Sequence, residues 1–377
     1  MKIGIIGAGA MGSGIAQVAA MAGHEVRLFD THSDAKTKAL QSISTSVNKF
    51  LEKGQISPSE SVAIVGRIYL CEQLQSLSDA DFIIEAIVEN LDIKKELFAS
   101  IEKIVSTSCI LATNTSSLSI TSIASALVNP ERCIGIHFFN PPVLMRLVEV
   151  IPAIQTGHHV LNEVVELISQ WGKTVVVAKD TPGFIVNKVA RPFYSEAIRI
   201  YEEGIADFET IDAAMTTHGF KMGPFTLMDF IGHDVNYKVT ESVWKSFFYD
   251  SKYRPSFTQL RLMEAGYFGK KSGRGFYQYP KVENVGNNRD QMLMETIFLR
   301  IFAMLVNEAA DTVWLQICSE KDVDLAVKLG LNYPKGLLEW GKEYGYESII
   351  SILDELHNQY GEERYRVCRY LKKIASI

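Results

Sequence analysis

Two residues near the middle of the chain have side chains suited to moving a proton, and their spacing sets them side by side. Cys133-Ile134-Gly135-Ile136-His137-Phe138 and Arg146-Leu147-Val148-Glu149-Val150-Ile151 both read as strands. Asn140-Pro141-Pro142-Val143 between them has strong turn chemistry. In a hairpin centred near Val143, positions whose numbers sum to 286 face each other, which pairs His137 with Glu149. Directly opposed residues project from the same face of a sheet. A carboxylate beside an imidazole fixes the ring tautomer and stabilises the imidazolium once the ring takes a proton. A partly exposed histidine in a surface salt bridge would satisfy the same spacing.

A second constellation opens the chain. Lys2 to Ile6 is a short apolar run, Gly7-Ala8-Gly9-Ala10-Met11-Gly12 follows, and Ser13 to Ala22 reads as a helix of small residues. Val26 to Asp30 is a second strand ending in an acid. This order is the βαβ context of a dinucleotide fingerprint. Gly7 permits the tight turn, Gly9 lets a pyrophosphate approach the backbone, and Gly12 lets the helix pack closely on the strand. The helix N-terminus offers N–H groups to the phosphates. Asp30 would bind the ribose hydroxyls and repel a 2′-phosphate, and no arginine follows it directly, so NAD is expected rather than NADP. With His137 as base, the implied chemistry is oxidation of an alcohol: the hydroxyl loses its proton to the ring and its hydride to nicotinamide.

Further polar residues fall where ligands bind in such sheets. Asn114-Thr115-Ser116-Ser117 follows an apolar strand, Ile110 to Thr113, at its carboxyl end. A serine there can hold a substrate oxygen or cap the helix that starts after Ser119. Asn187 follows the Pro182-Gly183 turn and could offer an amide to a cleft or serve as a cap. Ser46 and Lys53 are seven residues apart on one helix face, able to hold a phosphorylated ligand or simply to face solvent.

The elements that position these residues divide in two. Up to about residue 180 strands alternate with helices, as in a doubly wound parallel sheet. Beyond the turn-rich Lys179-Asp180-Thr181-Pro182-Gly183, helical periodicity dominates. Lys281 to Asp290 has the polarity of a linker. Glu196-Ala197 and Asp212-Ala213 recur 112 residues later as Glu308-Ala309 and Asp324-Leu325. Gly223-Pro224-Phe225 answers to Gly336-Leu337-Leu338 after a one-residue insertion. The expected organisation is a Rossmann-type α/β domain over 1–180, an all-α domain over 181–280, and a diverged second copy of it over 281–377. Chance likeness between helical segments is the competing explanation of the repeat.

Composition limits the function classes. The 377 residues are 47% hydrophobic and 22% charged, with net charge −6. Nucleic acid and anionic membranes are recognised through clustered positive charge, so neither is an expected partner. No apolar run approaches the roughly 20 residues that span a bilayer. The first residues already read as a strand, so no leader peptide is expected. Five scattered cysteines without a CxxC pair suit a reducing, cytoplasmic compartment. The eight histidines lack metal-ligand spacing, so no metal is expected.

Taken together the motifs resemble the 3-hydroxyacyl-CoA dehydrogenase family. Gly7 to Ala16, Ala86-Ile-Val-Glu-Asn90, Asn114-Thr-Ser-Ser117, Gly135-Ile-His-Phe-Phe-Asn-Pro141, Leu147-Val-Glu-Val150, Asp180-Thr-Pro-Gly-Phe-Ile-Val-Asn187, Gly223-Pro224 and Phe268 to Tyr277 occur in the family's order. The resemblance spans about residues 1–280. It implies that His137 is the catalytic base, Glu149 its partner, and Ser116 and Asn187 the groups that hold the reacting end of the substrate. It places Gly7, Ala8, Gly9, Ala10, Met11, Gly12, Asp30, Glu89, Lys94, Ser116, Asn140 and Lys271 at NAD, and Ser46 and Lys53 at coenzyme A, with Ser116 also touching substrate. The implied reaction is reversible oxidation of an (S)-3-hydroxyacyl-CoA to the 3-oxoacyl-CoA, in fatty-acid or related acyl-CoA metabolism. A sugar-acid or hydroxy-acid dehydrogenase of the same superfamily, or an NAD-binding protein without turnover, are the rival readings. Shorter family members dimerise through the helical domain. Here position 187 plus 112 is Leu299, and no second Thr-Pro-Gly-Phe exists. The second copy should therefore lack an active site and pack on the first as an internal dimer mimic, giving a monomer; a homodimer is the alternative.

Overall fold

The computed structural model describes residues 1–280 and 290–376; the linker expected over 281–290 lies outside the described residues except for Asp290. The chain divides into two compact units, Met1–Phe184 and Ile185–Ile377. The stretches expected as separate domains, 181–280 and 281–377, both fall in the second unit apart from residues 181–184.

In the first unit the chain order is β1 (Lys2–Ile6), α1 (Ala10–Met21), β2 (Glu25–Phe29), α2 (Ser33–Glu52), α3 (Pro58–Gly66), β3 (Ile68–Cys71), β4 (Phe82–Glu85), α4 (Leu91–Glu102), β5 (Ile110–Thr113), α5 (Ile120–Ala124), β6 (Cys133–Phe138), β7 (Leu147–Pro152), α6 (His158–Gln170) and β8 (Thr174–Val177). One eight-stranded sheet runs β3-β2-β1-β4-β5-β6-β7-β8. All neighbours are parallel except β6 and β7. β4 and β5 are buried on both faces, as strands between two helical layers must be, so they read as continuous apolar runs. Ser57 and Glu60 form a capping box that starts α3, with Pro58 in the first turn. The Asn90 side chain accepts from the Ile93 N–H and starts α4. The strand order reverses between β1 and β4, the crevice where α/β sheets bind ligands.

The second unit consists of α7 (Val186–Val189), α8 (Arg191–Glu202), α9 (Phe208–Thr217), α10 (Pro224–Ile231), α11 (His233–Ser246), α12 (Phe257–Glu264), α13 (Gln291–Trp314), α14 (Glu320–Gly330), α15 (Leu337–Tyr344), α16 (Tyr346–Tyr360) and α17 (Arg369–Ala375). No strand longer than an isolated bridge occurs among its described residues. α13 is buried almost all round from Ile297 to Ala310, with α8, α9, α15, α16 and α17 against it.

The ion pairs of this unit recur at an offset of 112. Arg300 Nε donates to Glu196 at 2.6 Å and Lys188 Nζ donates to Glu308 at 2.6 Å. Tyr365 O–H donates to Glu196 and Tyr253 O–H to Glu308, both at 2.7 Å. Arg364 lies 4.0 Å from Glu196, and Lys252 pairs with Glu308. Each of Lys188, Glu196, Lys252 and Tyr253 thus has its counterpart 112 residues on, and the pairs cross between the two sets. The caps recur as well. Asp212 accepts from the Phe225 and Thr226 N–H groups that begin α10, and Asp324 accepts from those of Leu338 and Glu339 that begin α15. No side chain fits at Gly223 or Gly336, because a Cβ would lie 2.4 Å from an atom of the capping aspartate.

Candidate active site

The hairpin has the register that the spacing predicts. β6 and β7 are antiparallel with His137 opposite Glu149, and β7 begins one residue later than expected. The His137 Nδ1 lies 2.6 Å from Glu149 Oε2. Glu149 is completely buried because β7 is flanked by β6 on one side and by β8 on the other. β8, a run of only four residues, was not anticipated from the sequence. His137 keeps 7% of its surface exposed, and the rings of Phe139 and Phe184 lie 4.5 and 5.8 Å from its imidazole. The Phe138 N–H donates to Asn114 Oδ1 at 2.9 Å, which ties the end of β6 to the loop after β5. The imidazole is therefore held at one nitrogen, leaving Nε2 for a reacting group.

The glycine turn is shaped as its residue types require. Gly7 has φ +107°, and a Cβ there would lie 2.5 Å from Ala86 O. A Cβ on Gly12 would lie 1.8 Å from Gly7 O, whereas space is open above Gly9. α1 begins at Ala10, inside the motif, so its first N–H groups face the turn. Asp30 accepts from the Ala8 N–H at 2.8 Å and from the His32 N–H at 2.9 Å. Gly7, Gly9, Ala10, Met11 and Asp30 line one cavity of about 680 Å³ with Ile87. Gly12→Ala must displace backbone, not a side chain. Dinucleotide affinity is expected to fall at least tenfold, read by fluorescence titration with NADH; unchanged affinity would contradict the close helix–strand packing.

Glu89 on the loop after β4, Lys94 in the first turn of α4 and Ser116 on the loop after β5 come together. Glu89 Oε1 accepts from the Thr115 hydroxyl at 2.6 Å, the Ser116 N–H at 2.9 Å and the Ser117 hydroxyl at 3.0 Å. Burial works against this carboxylate, but Lys94 and these donors outweigh it and hold its pKa below the usual range. The Lys94 ammonium is buried against Glu85 at 2.5 Å and stands 3.4 Å from Glu89. Glu85, which sequence reasoning passed over, also accepts from the Thr113 hydroxyl and the Ile87 N–H. Its signal was an acid closing the apolar run Phe82-Ile83-Ile84. Ser119 caps α5 and donates to Asp180, so of its two possible roles the structure shows the cap.

Ser46 and Lys53 line one groove of about 560 Å³ with Thr45, Lys49, Pro141 and Leu144. Asn140 is exposed at the head of the hairpin turn. Asn187 and Lys271 belong to the second unit. Asn187 is half-buried in α7, and Lys271 pairs with Asp234 at 2.5 Å.

Family models now decide the affiliation. The 3-hydroxyacyl-CoA dehydrogenase NAD-binding domain matches residues 2–181, and the C-terminal domain of the same enzymes matches residues 183–279 and 297–377. The chain belongs to the 3-hydroxyacyl-CoA dehydrogenase family. It is 36% identical to the 3-hydroxyadipyl-CoA dehydrogenase of Escherichia coli K12 over all of this chain and 97% of that protein. It is 43% identical to a probable 3-hydroxybutyryl-CoA dehydrogenase of Bacillus subtilis over 74% of this chain and 97% of that protein. The crystal structure of a 3-hydroxybutyryl-CoA dehydrogenase from E. coli K12 superposes with TM-score 0.94 at 35% identity, covering 100% of this chain and 98% of that one.

As a 3-hydroxyacyl-CoA dehydrogenase the chain is an NAD-dependent oxidoreductase of 3-hydroxyacyl-CoA substrates. The turn fits that cofactor: open backbone at Gly9, a cavity beside it, and a carboxylate at the end of β2 with lone pairs to spare for ribose hydroxyls. No helix among the described residues is long and apolar enough to cross a membrane.

Proposed function

We propose that His137 is the general base of this dehydrogenase and that Glu149 holds it in register. The contact between the ring Nδ1 and the buried Glu149 carboxylate carries the assignment. Glu149 keeps the Nδ1 proton in place, so Nε2 is the acceptor for the C3 hydroxyl proton. The same carboxylate then stabilises the imidazolium, which returns the proton when a 3-oxoacyl-CoA is reduced. NAD, when bound, accepts the C3 hydride. Phe139 and Phe184 surround the ring and reduce access of water to it. Ser116, fixed by Glu89, orients the hydroxyl, and Asn187 the thioester end. Asp30 and the Gly7–Gly12 turn seat the dinucleotide, with Glu89, Lys94 and Asn140 around it. Ser46 and Lys53 hold coenzyme A in their groove.

The substrate class is a short-chain (S)-3-hydroxyacyl-CoA, as the names of the B. subtilis relative and of the E. coli structure suggest. The working compartment is the cytoplasm. Absorbance of NADH at 340 nm during reaction with acetoacetyl-CoA tests the reading, beside an NADPH control. Oxidation of NADH in preference to NADPH supports it. Tight NADH binding without turnover of any acyl-CoA favours the hydroxy-acid or non-catalytic readings.

The chain is a monomer built from three parts, 1–180, 181–280 and 281–377, and its third part stands where a dimer partner would. Support comes from the crossed pairs: in an isologous interface residue i meets j while j meets i, as Lys188–Glu308 and Arg300–Glu196 do at an offset of 112. Light scattering during gel filtration should give a mass near 42.1 kDa; a species of twice that mass would overturn the monomer.

A further inference from the structure

The turn between the two catalytic strands touches three things at once. Pro141, Val143 and Leu144 form one wall of the groove that holds Ser46 and Lys53. Pro142 is buried directly on α1, where a Cβ added to Gly14 would lie 2.7 Å from its Cδ. The ends of the turn run into β6 and β7, which carry His137 and Glu149. Inside the turn the Leu144 and Met145 N–H groups both return to Pro141 O, at 3.1 and 3.0 Å. The Pro142 and Met145 carbonyls are left to an outside donor.

That donor is Lys173, on the loop just before β8. Its Nζ donates to Pro142 O at 2.5 Å and to Met145 O at 2.9 Å. Among the described residues no other donor reaches either carbonyl. β8 pairs with β7, with Val176 opposite Glu149, so the lysine is anchored to the strand that carries the base's partner.

We infer that Lys173 is a positioning residue that fastens the 140–145 turn across the cofactor helix and the groove, and so sets acyl-CoA affinity together with the aim of His137. The inference rests on the assignment of the Ser46–Lys53 groove to coenzyme A. Lys173 is part-buried, and burial alone lowers its pKa to about 8. The ionisable groups on the elements packed around it are Arg146 on the turn, Glu149 on β7, His158, His159, Glu163 and Glu166 on α6, and His24, whose ring lies 5.6 Å from that of Trp171. None forms an ion pair with Lys173. Burial pushes the His24 pKa down, away from the range in which Lys173 titrates. Below about pH 8 the latch is a charged donor; above it the amine is neutral and its bonds are about half as strong.

The test is steady-state kinetics of the full chain with acetoacetyl-CoA and NADH from pH 7 to 9.5, for the wild type, Lys173→Met and Lys173→Arg. In the wild type the acyl-CoA KM is expected to rise about fivefold across this range, the difference between a charged and a neutral donor. Lys173→Met should show the raised KM at every pH, with kcat lowered severalfold and NADH affinity unchanged. Lys173→Arg, which stays charged, should restore the KM at pH 7 and abolish its rise. Wild-type kinetics in Lys173→Met, or an undiminished rise in Lys173→Arg, would overturn the inference. If Lys173→Met does not fold, the comparison of wild type with Lys173→Arg decides alone. A Lys53→Ala variant separates the underlying assumption: an unchanged acyl-CoA KM there removes coenzyme A from the groove, whatever the Lys173 variants show.

Discussion

His137→Gln is expected to lower kcat by about 10²- to 10⁴-fold, the range supplied by a positioned general base, while the acyl-CoA KM and NADH affinity change little. Glutamine can keep a hydrogen bond to Glu149 but cannot accept and carry a proton. The loss should therefore fall on kcat rather than on binding, which marks an interaction made in the transition state. Glu149→Gln should give a smaller loss, because the base remains while its tautomer and its cation lose their support. Single-turnover measurement of NADH oxidation separates chemistry from product release. A His137→Gln enzyme that retains more than a tenth of wild-type single-turnover rate would remove His137 from the role.

Arg300→Met should destabilise the helical unit by about 3–5 kcal/mol, the cost of stranding a buried charge. Arg300 is 7% exposed and Glu196 fully buried, and the guanidinium also donates to Glu203 at 2.9 and 3.2 Å. After the substitution Glu196 retains the Tyr365 hydroxyl and Arg364 at 4.0 Å, which is insufficient for a carboxylate out of water. A drop in Tm of about 10 °C follows for a unit of this size. Lys188→Met strands Glu308 in the same way and should cost a similar amount, moderated by Lys252. Circular dichroism melts of both variants check this. A loss below about 1 kcal/mol in each would mean that water or a rearranged partner reaches these carboxylates.

How much of this was legible in the sequence depended on whether a feature is written locally. The βαβ fingerprint is local, so Gly7, Gly12 and Asp30 were assignable from their order alone, and the structure shows the close contacts those types predict. The His137–Glu149 pair needed only a turn and a count along two strands. Glu85 was missed because its meaning comes from Lys94 and Thr113, on elements that follow at a distance. Lys173 was invisible for the same reason: nothing near Trp171-Gly172-Lys173 announces that two carbonyls some thirty residues earlier await it. The 112-residue offset was legible as a repeat of letters. That its acids and bases cross over required coordinates, since a repeat states which residues correspond and not which ones meet.

The crossed pairs also change how this interface can evolve. In two identical chains joined by a two-fold axis, every substitution appears on both sides at once, so a change must suit its own mirror image. Here each position occurs once. Lys188 has become Arg300 in the counterpart, Lys252 has become Arg364, and Asn187 corresponds to Leu299. One side can improve its grip while the other keeps its chemistry, and damage to one half need not be doubled in the other. On the proposed reading of the third part as a built-in partner, a single chain that holds both halves is released from symmetry, and one set of catalytic residues suffices for the whole.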